Sequence, residues 1–430
     1  MSLDGGSSSP PSGVTSARRL SGPVVVILGL AAGQLTAYAL NVIAARRLGP
    51  DNYGILAALL AVILISNTVG VGVQTASARR LASGDPVFRA SAGRTLLTFG
   101  ARSGLVVAAV VLLATPILAS ALHIEQWWSL VLVAIAMVPM TAVGAQLGLA
   151  QGHEDFVRVG GIYAVANSSR SLVAIVGAVA GASVTATITG LLIGAVIGWG
   201  AGYLVVAPLV GPSPRVKISG LGAETARTSH ALIALFILTN LDILLARHFL
   251  PPTLAGEYAV GVVIAKIAFF LPQVVTVVVF PRLARERDPR SLSLAVLATL
   301  GLGVVLTLGV ALFASQVVNA AGGSAYQGLI GQAWMFAALG TVFAVVQICL
   351  FGRFAAEDRR SVVGLWATVA ILGIAVTLGP HDTVTVIVGT ALIVGTTLSV
   401  VAYVSALRLL RQSRHLGSAA KAGSGHGPGE

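Results

Sequence analysis

The chain has 430 residues, 56% of them hydrophobic and only 10% charged, against about half apolar and a quarter charged in an ordinary soluble domain. That balance excludes a water-soluble fold and identifies an integral membrane protein. The net charge of +12 raises nucleic acid as a partner, but the placement of the basic residues, taken up below, excludes it.

In chain order, residues 1–21 are rich in Ser, Gly and Pro and end near Arg18 and Arg19. They are expected to be a disordered cytoplasmic N-terminus. The apolar run that follows is too long for a signal-peptide core and lacks a small-residue cleavage site, so it reads as an uncleaved first span. Twelve such runs are expected, at 22–45, 54–76, 96–118, 128–150, 161–182, 185–210, 230–246, 258–280, 292–315, 329–351, 362–378 and 384–407. Each is close to the ~20 residues needed to cross a bilayer as a helix. The organisation expected is an N-lobe over 22–210, a cytoplasmic inter-lobe linker over 211–229, a C-lobe over 230–410 and a disordered cytoplasmic tail over 411–430.

With the N-terminus placed in the cytoplasm, alternation of the spans puts nearly all loop Lys and Arg inside. Only Arg46, Arg47 and Arg247 fall outside, the asymmetry of a multi-pass protein of the cytoplasmic membrane with both termini cytoplasmic. The basic charge is therefore topological. No outer loop exceeds about a dozen residues, and the linker is too short to fold alone, so function lies within the helical bundle.

The chain contains an internal repeat. Asn41-Val-Ile-Ala-Ala-Arg46-Arg47-Leu-Gly-Pro50 aligns without gaps on Asp242-Ile-Leu-Leu-Ala-Arg247-His248-Phe-Leu-Pro251, and each is followed by a Tyr-small pair, Tyr53-Gly54 and Tyr258-Ala259. Gln146-Leu-Gly-Leu149 leading to Glu154-Asp155 likewise matches Gln347-Ile-Cys-Leu350 leading to Glu357-Asp358. Two matches at nearly the same offset predict two six-span halves. Because six is even, the halves run parallel, related by an axis along the membrane normal around a central cavity.

Ala45-Arg46-Arg47-Leu48-Gly49-Pro50-Asp51-Asn52-Tyr53-Gly54, Gly148-Leu149-Ala150-Gln151-Gly152, and Asn240-Leu241-Asp242 running on to Gly256-Glu257-Tyr258 and Phe280-Pro281-Arg282 resemble the Wzx-type polysaccharide flippases. These belong to the multidrug/oligosaccharidyl-lipid/polysaccharide (MOP) exporter superfamily. The resemblance implies an all-α polytopic membrane protein with 12 transmembrane helices in two six-helix bundles. It also implies alternating access, an undecaprenyl-pyrophosphate-linked oligosaccharide as substrate, and other polysaccharide-assembly membrane proteins as partners. In some drug/proton antiporters of the superfamily an acid lies in the first span. Here Asn41 stands at the position matching Asp242, so acid-based coupling is not expected in the first lobe.

Asp242 is the only acid expected inside a span, and Arg102, Arg170 and Lys266 are the cations. Charges at that depth face a wet cavity or a partner. Asp242 and Lys266 sit at similar depth below the outer ends of their helices, which allows an ion pair; they are either a coupling and gating site for H+ or Na+, with Asn41 and Asn240, or a structural lock. Arg170 could hold a pyrophosphate bidentately or be satisfied by nearby carbonyls. Arg102 is either an entry-side phosphate contact or a residue reaching to the interface. Gln34, Asn67, Gln74, Gln146, Asn167, Gln273, Gln332 and Gln347 add neutral polar groups suited to sugar hydroxyls or to bonding between helices. Pro139 and Pro272 are expected mid-span, and Trp127-Trp128 reads as an interfacial anchor. Gly190 to Gly202 lie in an apolar run and suit close helix packing. Cys349 reads as a small buried apolar residue.

No catalytic constellation, metal cluster or cofactor motif is evident. The function expected is a non-enzymatic flippase for a lipid-linked anionic glycan. A multidrug antiporter of the same superfamily is the alternative within transport. A membrane glycosyltransferase or polymerase is the enzymatic one, although those usually carry a sizeable extracytoplasmic domain.

Overall fold

The computed structural model describes residues 13–211, 216–270, 289–354 and 360–423, and these contain no strand. Helices run in the order α1 (Gly13–Ala82), α2 (Pro86–Ala121), α3 (Trp128–Gly152), α4 (Phe156–Gly181), α5 (Val184–Val206), α6 (Leu221–Leu238), α7 (Leu241–Phe249) and α8 (Pro252–Phe270). They continue with α9 (Pro289–Leu312), α10 (Ala314–Ala321), α11 (Ala333–Phe354), α12 (Arg360–Leu378) and α13 (Val384–Gly423). Gln273, Pro272, Phe280-Pro281-Arg282 and Glu357-Asp358 lie outside the described residues.

α1 is too long to cross a bilayer once. It folds at Gly49, whose φ of 72° and ψ of 171° suit glycine alone, and Pro50 next to it cannot continue the ladder. Among the described residues nine helices are long and apolar enough to cross a membrane. The number is ten when α6 and α7, bent by 46°, are taken as one span. The expected segments fall mostly on helix over their described parts, with the two arms of α1 carrying the first two.

Two expectations are corrected. The seventh segment begins at Leu221 rather than 230, which shortens the linker, and it breaks at Thr239–Asn240. Both side chains there turn back on their own helix, Thr239 Oγ1 donating to the Leu235 carbonyl at 3.1 Å and Asn240 Nδ2 to that of Phe236 at 2.9 Å, the local competition by which short polar residues interrupt helices. Residues 13–21 and 411–423, expected to be disordered, are helical ends of α1 and α13. They extend helices already nucleated, so only propagation is required.

Helices α1 to α5 pack on one another, and so do α8, α9, α11 and α13; α6 lies between α1 and α12. Burial follows the repeat. The most apolar window is 72% buried in α3 and 61% buried in its counterpart at Ser324–Cys349, while α2 and α9 reach 22% each. The matched pairs therefore occupy matched inner and outer positions.

Small residues permit the contacts, as expected for helices without a hydrophobic drive between them. A Cβ on Gly144 would lie 2.1 Å from the Gly70 carbonyl oxygen, and one on Gly194 would lie 2.4 Å from that of Ser169. Gly190, Gly194 and Gly198 all meet the α4 backbone, so the glycine run packs helices as expected. Trp127 and Trp128 are exposed and stacked at 4.0 Å, and Cys349 is buried.

The bundle has a terminus end, bearing the start of α1, the end of α13 and the 83–85 and 153–155 turns, and a distal end bearing the turns near Gly49, His123 and Leu250. One apolar cluster, including Ala45, Leu56, Leu122, Ala246 and Ala255, spans both halves at the distal end. Toward the terminus end it divides, with Leu81, Leu147 and Val206 in one half and Leu292, Ile348 and Ala402 in the other. The two halves thus share a core distally and diverge.

At the distal crossing a Cβ on Gly256 would meet the Pro50 carbonyl oxygen at 2.1 Å, whereas Gly200 has nothing within 4 Å of an added Cβ. Gly256→Val is expected to cost about 1–3 kcal/mol through overpacking and Gly200→Ala to be near neutral. Thermal unfolding of the detergent-solubilised variants would measure both.

Candidate functional site

A cavity of about 320 Å³ lies between the halves. Its walls come from both arms of α1, through Gln34, Asn41 and Asn67; from α4, through Asn167 and Arg170; and from Asn240 at the α6–α7 break and Lys266 on α8. The structure therefore brings together Arg170, Lys266, Asn41 and Asn240, four of the six residues singled out from the sequence. The lining holds, among the described residues, two cations and no carboxylate. Among the described residues neither Arg170 nor Lys266 has an ion pair or hydrogen bond, the ion pairs being Arg79–Glu224, Arg80–Glu224 and Arg158–Asp155.

Asp242 stands behind this wall, 2% exposed. It does not form the expected contact ion pair with Lys266. Its Oδ2 accepts a hydrogen bond from the Tyr258 hydroxyl at 2.9 Å. The carboxylate lies in the first turn of α7, where free backbone N–H groups and the helix dipole favour negative charge.

The first half repeats this arrangement in neutral form. The Tyr53 hydroxyl donates to Asn41 Oδ1 at 3.0 Å, and Asn41 Nδ2 donates to the Ala37 carbonyl at 2.8 Å. Each tyrosine is fully buried and edge-on to a second ring, Tyr53 to Tyr326 and Tyr258 to Phe336. Sequence reading missed the roles of these tyrosines, although the Tyr-small pair after each repeat block marked them.

Arg102 is corrected. It is exposed and lines a separate pocket with Thr98, Phe99, Lys217 and Gly220, near the linker. α2 is an outer helix, and Arg102 points away from the cavity. Gln146 is structural, its Nε2 bonded to the Trp199 carbonyl at 2.8 Å and so tying α3 to α5. Pro139 lies inside α3 as expected.

The distal end is closed by a second matched pair. Arg46 Nη2 reaches across to the carbonyls of Asn319 and Ala320, at 3.0 and 2.9 Å, at the end of α10. Its repeat counterpart Arg247 donates to the carbonyls of Leu122 and His123, at 2.9 and 3.2 Å, just beyond α2. Each guanidinium thus serves the free carbonyls of a helix end in the opposite half. Thr253 Oγ1 adds a bond to Asp51 at 2.9 Å.

The chain is similar to solved structures of membrane transporters. An inward-facing multidrug resistance MATE family transporter of the MOP superfamily superposes with a TM-score of 0.67 at 14% identity, covering 90% of this chain and 99% of that one. A Vibrio cholerae MATE transporter, in a point-mutant form, gives 0.64 at 15% identity, with 93% and 98% covered. A MOP superfamily transporter from Pyrococcus furiosus, described by a binding pocket of reverse polarity, gives 0.57 at 12% identity, with 91% and 96% covered. The fold is that of the MOP transporters. The family model described as polysaccharide biosynthesis protein matches residues 43–331, and the chain belongs to that family. No curated protein matches it in sequence.

Two outcomes test this geometry. Tyr258→Phe removes the side-chain hydrogen-bond donor of a buried carboxylate and is expected to cost about 1–3 kcal/mol, more than Tyr53→Phe, whose acceptor is a neutral amide; thermal unfolding in detergent ranks the two. Replacing both Arg46 and Arg247 by Ala should lengthen and broaden the distance distribution between spin labels on Arg47 and Ser315. An unchanged distribution would show that the arginines do not hold the distal end.

Proposed function

We propose that the protein is a flippase that moves a lipid-linked oligosaccharide of the undecaprenyl-pyrophosphate type across the cytoplasmic membrane by alternating access. In this reading the terminus end faces the cytoplasm and the chain has twelve spans in two lobes, divided near 211–229. The observation that carries the proposal is the cavity lining, where among the described residues Arg170 and Lys266 face the space with no carboxylate in the wall, the one acid acting on Lys266 being Asp242 buried behind it. Two cations against one buried acid leave a positive surplus that favours an anion, and a pyrophosphate offers the bidentate oxygens a guanidinium binds best. Membership of the polysaccharide biosynthesis family supports a glycan cargo. The protein acts as a transporter without chemistry of its own.

One observation favours drug export instead. The buried Asp242–Tyr258 pair is a group that an ion-coupled antiporter could protonate, and MATE transporters share the fold.

In a strain that depends on the protein, Arg170→Ala and Lys266→Ala should each lower surface polymer about tenfold or more, the loss expected for a charge-assisted contact of about 1.5–3 kcal/mol, and lipid-linked precursor should accumulate inside. Arg102→Ala should keep near-normal polymer. Full export by the Arg170/Lys266 double variant would overturn the proposal, while loss of resistance to cationic dyes with polymer intact would support the antiporter. Asp242→Asn with unchanged export would remove that residue from coupling.

A further inference from the structure

Within the first half a second cavity, of about 240 Å³, adjoins the central one. Asn67, Asn167 and Arg170 line both, so Arg170 stands at the doorway. Beyond it the side chamber contains Gln74 on α1, Gln151 on α3 and Tyr163 on α4, all on the side of the terminus end, since α1 and α3 finish at Ala82 and Gly152. Gln74 Nε2 donates to Gln151 Oε1 at 3.1 Å and to the Tyr163 hydroxyl at 2.9 Å.

The groups left over define the occupant. Among the described residues Asn67 Oδ1 is buried without a partner, and no hydrogen bond engages the side chain of Asn167 or Arg170 or the amide N–H groups of Gln151. Gln151 is exposed toward the chamber and Asn167 and Arg170 are half-buried, while a buried polar atom left unmatched, here Asn67 Oδ1, is costly, so an apolar guest would leave that cost standing. A cationic guest would need a carboxylate, and among the described residues the chamber has none. Planar amides that donate and accept side by side, together with one aromatic ring, match a neutral polyhydroxylated ring, whose hydroxyls also donate and accept.

We infer that this side chamber is a sugar subsite that receives the first, neutral or N-acetylated, hexose of the cargo while Arg170 at its mouth holds the adjoining phosphate. The inference rests on the flippase reading and adds to it a site, a ligand class and a direction. The glycan points into the first half toward the terminus end, and the lipid lies in the gap between the halves. The preformed Gln74–Gln151–Tyr163 triad keeps the hydrogen-bonding edges in place before the sugar arrives, so little ordering is required on binding.

The test uses the full-length protein in lipid nanodiscs with two probes, undecaprenyl pyrophosphate and undecaprenyl pyrophosphate bearing a single N-acetylhexosamine, and measures their affinities. Wild-type protein should bind the sugar-bearing lipid about tenfold more tightly or better, the worth of one or two well-placed hydrogen bonds. Gln151→Leu should abolish that preference and leave binding of the bare pyrophosphate unchanged, which also shows that the variant is folded. Tyr163→Phe, which keeps the ring, should reduce the preference in part. Arg170→Ala should weaken both probes. A sugar preference that is absent in the wild type, or undiminished in Gln151→Leu and Tyr163→Phe, overturns the chamber while binding of the bare lipid leaves the flippase reading standing. Failure of wild-type protein to bind either probe overturns both.

Discussion

The relation between the two halves depends on one close approach, where α8 passes over the fold in α1. The Pro50 carbonyl oxygen occupies the place that a side chain on Gly256 would fill, and Gly54 sits against the backbone of Ala255 and Gly256. With lipid on the outside there is little hydrophobic gain in bringing two apolar helices together, so backbone proximity and hydrogen bonds must supply the attraction. Both are concentrated here. The Arg46 and Arg247 guanidinium groups bond to carbonyls of the opposite half on either side of this crossing, and the Tyr326 hydroxyl adds a bond to the Ala45 carbonyl at 2.9 Å. The shared apolar core lies at the same end and divides beyond it. The central cavity is the space that the crossing leaves open.

Much of this was legible in the sequence, for physical reasons that differ from residue to residue. The repeat could be read because Arg, Pro and Tyr are rare enough in apolar helices to align with meaning, and the glycine run because Gly in a membrane helix has few uses besides close packing. The tyrosine partners could not be read, since the two pairs are spaced twelve and sixteen residues apart, and a spacing that changes between repeats hides a shared contact. Arg102 was misplaced because α2 is apolar nearly all round. Nothing in such a pattern says which face turns inward. Arg46 and Arg247 counted in the sequence only as loop charges, since which helix end they reach is set by a fold between distant segments.

The halves are alike in outline and unlike at one depth. Asn41 lies within an unbroken arm of α1, with its carbonyl oxygen and amide nitrogen both bonded. Its counterpart Asp242 follows a helix break, and the break presents Asn240, whose Oδ1 has no partner among the described residues, to the cavity. A charged group in place of a neutral one demands more from its surroundings, and the break places Asp242 in the first turn of α7, where the helix dipole favours negative charge, with Oδ2 bonded to Tyr258 and Oδ1 without a hydrogen-bond partner among the described residues. The substitution of acid for amide and the interruption of the helix are thus one adaptation, confined to the second half. Lys266 on α8 places a compensating charge in the same half without touching Asp242.

These charges bear on the direction of transport. Among the described residues at the cavity, the positive charges of Arg170 and Lys266 stand against the negative charge of Asp242, and a pyrophosphate of the proposed cargo would cancel or outweigh that surplus. A charge carried across the whole membrane exchanges about 2.3 kcal/mol per 100 mV with the potential, and a rocking motion moves it through part of that field. For an anionic cargo, the loaded cavity can therefore change its facing with little electrical work. In the proposed flippase the empty, cationic cavity would be drawn back toward a negative interior, so the cations proposed to bind the head group would also supply the force that resets the carrier. Neutral amides at Asn41 and in the side chamber add nothing to that electrical balance. In that proposal they serve recognition, while charge in the second half and at Arg170 serves binding and return.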